Sequence, residues 1–278
     1  MSGESDRMAA TGDHGLEVES GRAPVFRGVG VALVTLFGED GSLDAAATAD
    51  LAAQLAGLGV RALVVAGSTG EAVALSPEER TALLRAVRER VGPGPGVPVI
   101  AGTGAHDAST AAELTARARD DGADAVLALS PPGSEDLAGY YGAVVKAAAG
   151  IPVLGYHFPS VSAPGIPVDA LPSLPIDGLK DSTAGADRLF STLSVFHRPL
   201  YTGSSALVAL AGGVGCAGAI LALANARPEL CQAAFDGSLD AQRELVADHL
   251  RAKAAFPTGI KGLVAERFGT SVAYRLSR

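Results

Sequence analysis

The chain has 278 residues, a hydrophobic content of 48% and a formal net charge of −8, which is ample for one large core. Its acidic residues are dispersed, and no block of Lys and Arg with interleaved aromatics points to a nucleic-acid partner. The sequence contains no run of 18 apolar residues, so we predict no membrane span. The two cysteines lack the spacing of metal ligands and indicate a reducing, cytoplasmic setting.

The first 24 residues differ in character from the rest of the chain. They are polar, contain Gly and Glu, and lack the apolar segment of a signal peptide. We therefore predict that residues 1–24 are a disordered extension. We predict a single domain over residues 25–278, since one α/β barrel often reaches this length.

From Val29 onward, apolar runs alternate with Ala-rich segments of helical periodicity. Asp44 is placed to cap the first helix, and Ser76, followed by Pro77 and later by Glu79, is a typical start for the second. Strand-like runs occupy residues 29–35, 60–67, 97–102, 125–129, 151–158, 178–180, 200–203 and 216–221.

These eight continuous apolar runs predict strands that are buried on both faces. They fit a closed (β/α)₈ barrel, the TIM barrel of the α/β class, better than an open doubly wound sheet. Helical patterns at 230–235, 240–256 and 260–268 predict extra helices at the C-terminal end.

Two strands end in residues suited to imine chemistry. Lys180 ends the run at 178–180, and Tyr156 lies near the end of the run at 151–158. A lysine amine at the mouth of a barrel can attack a carbonyl, while a nearby phenol transfers protons. The alternative is a strand-end lysine that only extends to solvent.

Other motifs are weaker. Gly67-Ser68-Thr69-Gly70-Glu71 offers two hydroxyls and free backbone N–H groups for a carboxylate, or merely a turn. The G-x-G-x-x-G match at 213–218 precedes a strand-like run, which argues against a dinucleotide site. The five histidines are scattered, with no H-x-H or H-E-x-x-H, so we predict no metal site.

Five segments occur in the order and spacing of one known family: residues 32–37, 67–71, 101–105, 155–159 and 178–183. Together they resemble the dihydrodipicolinate synthase / N-acetylneuraminate lyase superfamily, from about Gly28 onward. The resemblance implies a (β/α)₈ barrel of pyruvate-dependent class I aldolases, usually homotetrameric. No cofactor is implied, because the imine itself is the electron sink.

By this resemblance, Lys180 matches the Schiff-base lysine and Tyr156 the proton-relay tyrosine. Four further positions match residues that bind pyruvate: Ser68 and Thr69, which hold its carboxylate, and Gly203 and Ile220, whose backbone lines the pocket.

The chain departs from the synthases of that family in two places. Residues 130–134 lack the tyrosine that completes the relay in a neighbouring subunit, and Tyr140 and Tyr141 lie in the next helix, where we expect them to pack. Val161 stands in the segment that carries the arginine for the aldehyde's carboxylate. The pyruvate half of the site is therefore kept, and the acceptor half is not.

We therefore predict a Schiff-base aldolase or lyase that acts on pyruvate or a related 2-oxo acid, with an unknown acceptor aldehyde. We expect a homo-oligomer, dimer or tetramer, with a relay inside one subunit and Thr69 facing Tyr156. Two alternatives stay open: 4-hydroxy-tetrahydrodipicolinate (dihydrodipicolinate) synthase proper, and a non-catalytic barrel that binds a 2-oxo acid.

Overall fold

A computed structural model describes residues 23–92 and 96–276 of the chain. The extension predicted at residues 1–24 lies outside the described residues, apart from its last two. The described residues form eight parallel strands that close into a barrel in sequence order, the last strand pairing with the first. The predicted (β/α)₈ fold is confirmed.

The strands are β1 Gly28–Ala32, β2 Leu63–Val65, β3 Val99–Gly102, β4 Ala125–Leu129, β5 Val153–His157, β6 Gly178–Asp181, β7 Leu200–Thr202 and β8 Gly218–Leu221. The helices are α1 Ala45–Gly57, α2 Pro77–Val91, α3 Ala108–Asp120, α4 Leu137–Ala148, α5 Ala186–Val195, α6 Val208–Gly213, α7 Pro228–Phe235, α8 Leu239–Ala254 and α9 Thr258–Phe268. The predicted C-terminal helices are thus present as α7, α8 and α9. None of the helices described is long and apolar enough to cross a membrane.

Alternation along the strands divides the core into two layers. On β2, Val64 belongs to a cluster inside the barrel, whereas Leu63 and Val65 belong to the cluster between strands and helices. The same alternation on β5 sends Leu154 and Tyr156 to the inner cluster. Because both layers are apolar, successive residues of each strand are apolar. This explains the continuous apolar runs from which we predicted burial on both faces.

The helix starts follow the predicted capping. The Asp44 carboxylate accepts a hydrogen bond from the Ala47 N–H at 2.8 Å. Ser76 and Glu79 form a reciprocal capping box, in which each side chain accepts a hydrogen bond from the other residue's backbone N–H. These bonds satisfy N–H groups that a helix leaves without intrahelical partners.

A buried ion pair fastens α9 to the turn after β2. Glu71 and Lys261 are both fully buried, and Oε1 lies 2.5 Å from Nζ. Glu71 Oε2 accepts hydrogen bonds from the backbone N–H groups of Arg275 (2.7 Å) and Leu276 (3.0 Å). Lys261 Nζ donates to the Ala273 carbonyl at 2.6 Å. One carboxylate therefore holds the turn, α9 and the segment after α9 together.

We predict that Lys261→Met lowers the free energy of unfolding by roughly 3–5 kcal/mol, because the Glu71 carboxylate stays buried without its cation. Denaturant unfolding measures the loss. Arg243→Met is the control: Arg243 pairs with Asp240 on the exposed face of α8, so its loss costs at most about 1 kcal/mol. An equally small loss in both variants would contradict the prediction.

Candidate active site

The register between β5 and β6 places Tyr156 beside Lys180. The two residues are direct Cα partners in the ladder, and each lies one residue before the end of its strand. Both are nearly buried, at 4% and 5% exposure. The Nζ atom of Lys180 lies 4.2 Å from the centroid of the Tyr156 ring. An amine and a phenol therefore share the carboxyl-terminal mouth of the barrel, where TIM-barrel enzymes carry their chemistry.

A pocket of about 380 Å³ opens around these two side chains. The structure brings all six site residues named from the sequence into its lining: Ser68, Thr69, Tyr156, Lys180, Gly203 and Ile220. They come from β5, β6 and β8 and from the turns that follow β2 and β7. One pocket thus unites positions that are far apart in the chain.

The turn after β2 presents two hydroxyls to the pocket. The side chains of Ser68 and Thr69 form no hydrogen bond with any residue in the described part of the chain. Ala66 and Glu71, on either side of them, have φ angles of 50° and 56°, a left-handed conformation that costs non-glycine residues roughly 1–2 kcal/mol each. The contacts of Glu71 offset this strain, so the turn is held rigidly and its hydroxyls remain available for a ligand.

Gly203 is required by the close approach of β7 and β6. A β-carbon at this position would lie 1.9 Å from Ser182 Oγ and 3.1 Å from Lys180 Cε. Neither contact is sterically possible without a shift of the side chains in the pocket. The missing side chain therefore leaves the room in which Lys180 extends.

The hydroxyl that contacts the Tyr156 phenol belongs to Ser182. Its Oγ donates a hydrogen bond to Tyr156 Oη at 3.3 Å. Thr69, which we expected there, lines the pocket but makes no such contact among the residues described. Ser182 was recognisable in principle, since it directly follows β6 and lies two residues after Lys180, the spacing at which side chains of an extended segment face the same side.

The two tyrosines of α4 are packing residues, as expected. Tyr140 is 3% exposed, and its hydroxyl donates to the Leu129 carbonyl at 3.0 Å. Tyr141 is fully buried and donates to the Ala128 carbonyl at 3.2 Å. Burial raises the pKa of both phenols. Each hydroxyl is engaged by a carbonyl group of its own chain, and neither tyrosine lines the pocket around Lys180.

His157 follows Tyr156 but faces away from the pocket. Its Nδ1 accepts a hydrogen bond from the Ile166 N–H at 2.7 Å. Burial, and then the Arg188 guanidinium, lower the pKa of His157 to about 4. Within the described residues, no three His, Cys, Asp or Glu side chains converge in a way that could hold a metal ion.

The outer part of the pocket was not foreseen from the sequence. His249, Ala252 and Lys253 of α8 line it, together with Phe256 and the half-exposed Val161. Only the fold reveals this, because nothing in the sequence states that α8 packs against the loop after β7.

Comparison with known proteins identifies the family. A sequence model of the dihydrodipicolinate synthetase family matches residues 25–262. The chain is 37% identical over 242 residues to the 4-hydroxy-tetrahydrodipicolinate synthase of Hyphomonas neptunium, covering 80% of each chain. It is 34% identical over 225 residues to an uncharacterised DapA-like lyase of Halobacterium salinarum, covering 78% of this chain and 73% of that one.

Solved structures from this family have the same fold. YagE of Escherichia coli, a member of the dihydrodipicolinic acid synthase family solved in complex with pyruvate, superposes with a TM-score of 0.82 at 25% identity, covering 90% of this chain and 92% of YagE. Dihydrodipicolinate synthase of Aquifex aeolicus superposes with a TM-score of 0.80 at 27% identity, covering 90% of this chain and 91% of the other.

Proposed function

This chain belongs to the dihydrodipicolinate synthetase family, and we propose that it is a class I aldolase or lyase that forms a Schiff base between Lys180 and pyruvate or a near 2-oxo acid. The observation that carries the proposal is the pairing of the Lys180 amine with the Tyr156 phenol, 4.2 Å from Nζ to the ring centroid, inside one pocket. A nearly buried amine beside a proton donor is the arrangement that nucleophilic catalysis on a carbonyl needs.

The unprotonated amine attacks the C2 carbonyl of pyruvate, and the resulting carbinolamine loses water to give the imine. Loss of a proton from the methyl carbon converts the imine into an enamine. This carbon then forms the new bond to the carbonyl carbon of the acceptor aldehyde, whose oxygen takes up a proton. Water hydrolyses the product imine, which releases a 4-hydroxy-2-oxo acid and the free Lys180; cleavage follows the same steps in reverse.

The remaining residues have roles that fit this sequence of steps. The free hydroxyls of Ser68 and Thr69 hold the pyruvate carboxylate, with nearby backbone N–H groups of the turn. Tyr156 gives and takes the protons of carbinolamine formation and collapse. Ser182, hydrogen-bonded to the phenol at 3.3 Å, supplies a second hydroxyl from the same subunit, which is consistent with a relay that needs no partner.

Two other functions fit this site less well. Synthase activity proper is favoured by the 37% identity to the Hyphomonas enzyme, but Val161 cannot form an ion pair with the carboxylate of an aldehyde. A binding protein without activity would need neither the paired amine and phenol nor the space that Gly203 leaves for Lys180. We therefore retain the aldolase or lyase assignment.

We predict that borohydride reduction in the presence of saturating pyruvate attaches a stable adduct to Lys180. Peptide mapping by mass spectrometry locates it. Lys253 lines the same pocket and serves as the internal control, because it lacks the phenol neighbour and should remain unmodified. An unmodified Lys180 would rule out the imine.

We predict that Tyr156→Phe lowers kcat by roughly 10²–10⁴-fold, the usual effect of losing a positioned proton-transfer group. The ring and its contact with Lys180 are kept, so stability should change little. Tyr140→Phe is the matched control, because its hydroxyl donates to the Leu129 carbonyl of β4 and does not line the pocket, so its loss should leave kcat unchanged. Equal kinetics for the wild type and Tyr156→Phe would remove the phenol from the mechanism.

We predict negligible condensation of pyruvate with aspartate semialdehyde. Val161 supplies no guanidinium for that aldehyde's carboxylate. Above all, no carboxylate among the described lining residues can receive its ammonium group, which Lys253 would repel. Steady-state kinetics with this aldehyde test the point. A kcat/KM of about 10⁴ M⁻¹s⁻¹ or more, within the ordinary enzyme range, would favour the synthase alternative.

A further inference from the structure

The proposed function leaves the outer half of the pocket without a role. This half is lined by His249, Ala252, Lys253 and Phe256, whose spacing of i, i+3, i+4 and i+7 is that of one helix face. The residues begin on α8 and end just beyond it. One face of the last turns of α8, continued by Phe256 beyond the helix, therefore faces the same cavity as Lys180.

This face of α8 is held in place by hydrogen bonds to the loop after β7 and to the helix that follows it. The Oγ of Ser205 lies 2.8 Å from Nδ1 of His249. One side chain of α8, Gln242, donates to the Ser205 carbonyl at 2.9 Å and accepts from the Ala209 N–H at 3.0 Å. The helix is thus bonded to the loop at two positions, His249 and Gln242. A group that entered the pocket would meet a surface already ordered for it, which reduces the entropic cost of binding.

The charge of the pocket has one sign. Its described lining residues include one lysine besides the nucleophile Lys180, namely Lys253, and no carboxylate. Lys253 forms no ion pair with any other residue in the part of the chain that the structure describes. Burial, and then the charge of Lys253, hold the pKa of His249 below its usual range, which is consistent with a short distance between the two side chains. A cleft lined by one sign of charge attracts ligands of the opposite sign.

We propose that the outer half of the pocket binds an anionic group, carboxylate or phosphate, of the acceptor aldehyde, with Lys253 as its ionic partner. The Ser205–His249 pair supplies hydrogen bonds beside it. This rests on the proposed function, since it names the substrate class of the second reactant. Pyruvate's own carboxylate has a separate site on the turn after β2, three strands away around the barrel from the loop that carries Ser205.

The substrate class follows from the walls of the same cavity. Phe158, Val161 and Phe256 are apolar residues in the same lining as Lys253. They suit a short carbon chain between the aldehyde and the anionic group. An aldehyde with an added ammonium group is disfavoured, because Lys253 would repel it and no carboxylate among the described lining residues would receive it.

The test compares aldehydes that differ in charge. With pyruvate as donor, kcat/KM is measured for glyceraldehyde and glyceraldehyde 3-phosphate, and for butyraldehyde and succinic semialdehyde. The first pair tests phosphate, the second carboxylate. Each is measured with the wild type, Lys253→Met, Lys253→Arg and Arg243→Met, the last on the exposed face of α8 beside Asp240.

We expect the wild type to prefer the charged member of at least one pair. Lys253→Met should lower kcat/KM for that member by about 10- to 100-fold more than for its neutral partner, the usual effect of losing a hydrogen bond to a charged group. Lys253→Arg should restore most of this preference, and Arg243→Met should not alter it. A wild type that prefers the neutral aldehydes, or a Lys253→Met variant that affects both members equally, overturns the proposal.

A binding measurement separates this proposal from the imine chemistry. Calorimetric titration with glycerol 3-phosphate and with 4-hydroxybutyrate, against glycerol and butanol as neutral controls, requires no reaction at Lys180. We expect at least one anion to bind the wild type and to bind Lys253→Met about tenfold or more weakly. If borohydride leaves Lys180 unmodified while this binding persists, the proposed function fails and the anion site stands. If Lys180 is trapped but neither anion depends on Lys253, the anion site fails.

Discussion

The site depends on one register. Tyr156 and Lys180 are direct partners in the β5–β6 ladder, and a shift of a single residue would turn one of them from the barrel interior to the helix side. Closure of the barrel fixes that register, because every strand is paired on both edges. The amine and the phenol are therefore held against each other by the hydrogen bonds of the whole sheet and not by a local contact alone.

The second constraint couples the C-terminal helices to the pocket. Glu71 ends the turn that carries Ser68 and Thr69, and its buried partner Lys261 belongs to α9. The same C-terminal region contributes Lys253 and His249 to the outer wall. Residues beyond the eighth strand thus stabilise the turn on one side of the mouth and line the cavity on the other. These helices are part of the site and not an appendage to the barrel.

Much of the fold was predictable because the signals are local. Continuous apolar runs indicate strands buried on both faces, and the helix caps at Asp44 and Ser76 are predicted from residues within one turn of them. Lys180 and Tyr156 were recognisable because a strand end locates a side chain at the barrel mouth. The roles of Gly203 and Ile220 came only through the family resemblance; the structure adds the physical reason for Gly203, which is the approach of Ser182 and Lys180.

What the sequence did not predict depends on packing between distant segments. Ser182 was passed over in favour of Thr69, although its spacing from Lys180 indicates the same side of the segment. The direction of the Thr69 side chain, in contrast, depends on the conformation of the turn after β2, which the sequence does not state. The pairing of Glu71 with Lys261 joins residues 190 positions apart, and no local sequence pattern predicts such a pair. The α8 wall was missed for the same reason: His249 and Lys253 have the spacing of any helix face, and only the docked helix shows which cavity they line.

The central claim is that Lys180 is the nucleophile and that the turn after β2 holds the carboxylate. A crystal structure of the protein soaked in pyruvate tests both points at once. We predict continuous electron density from Nζ of Lys180 to C2 of pyruvate, with the carboxylate within hydrogen-bond distance of Ser68 and Thr69. Pyruvate bound without a covalent link, or with its carboxylate on Lys253 while Ser68 and Thr69 remain free, would contradict the account.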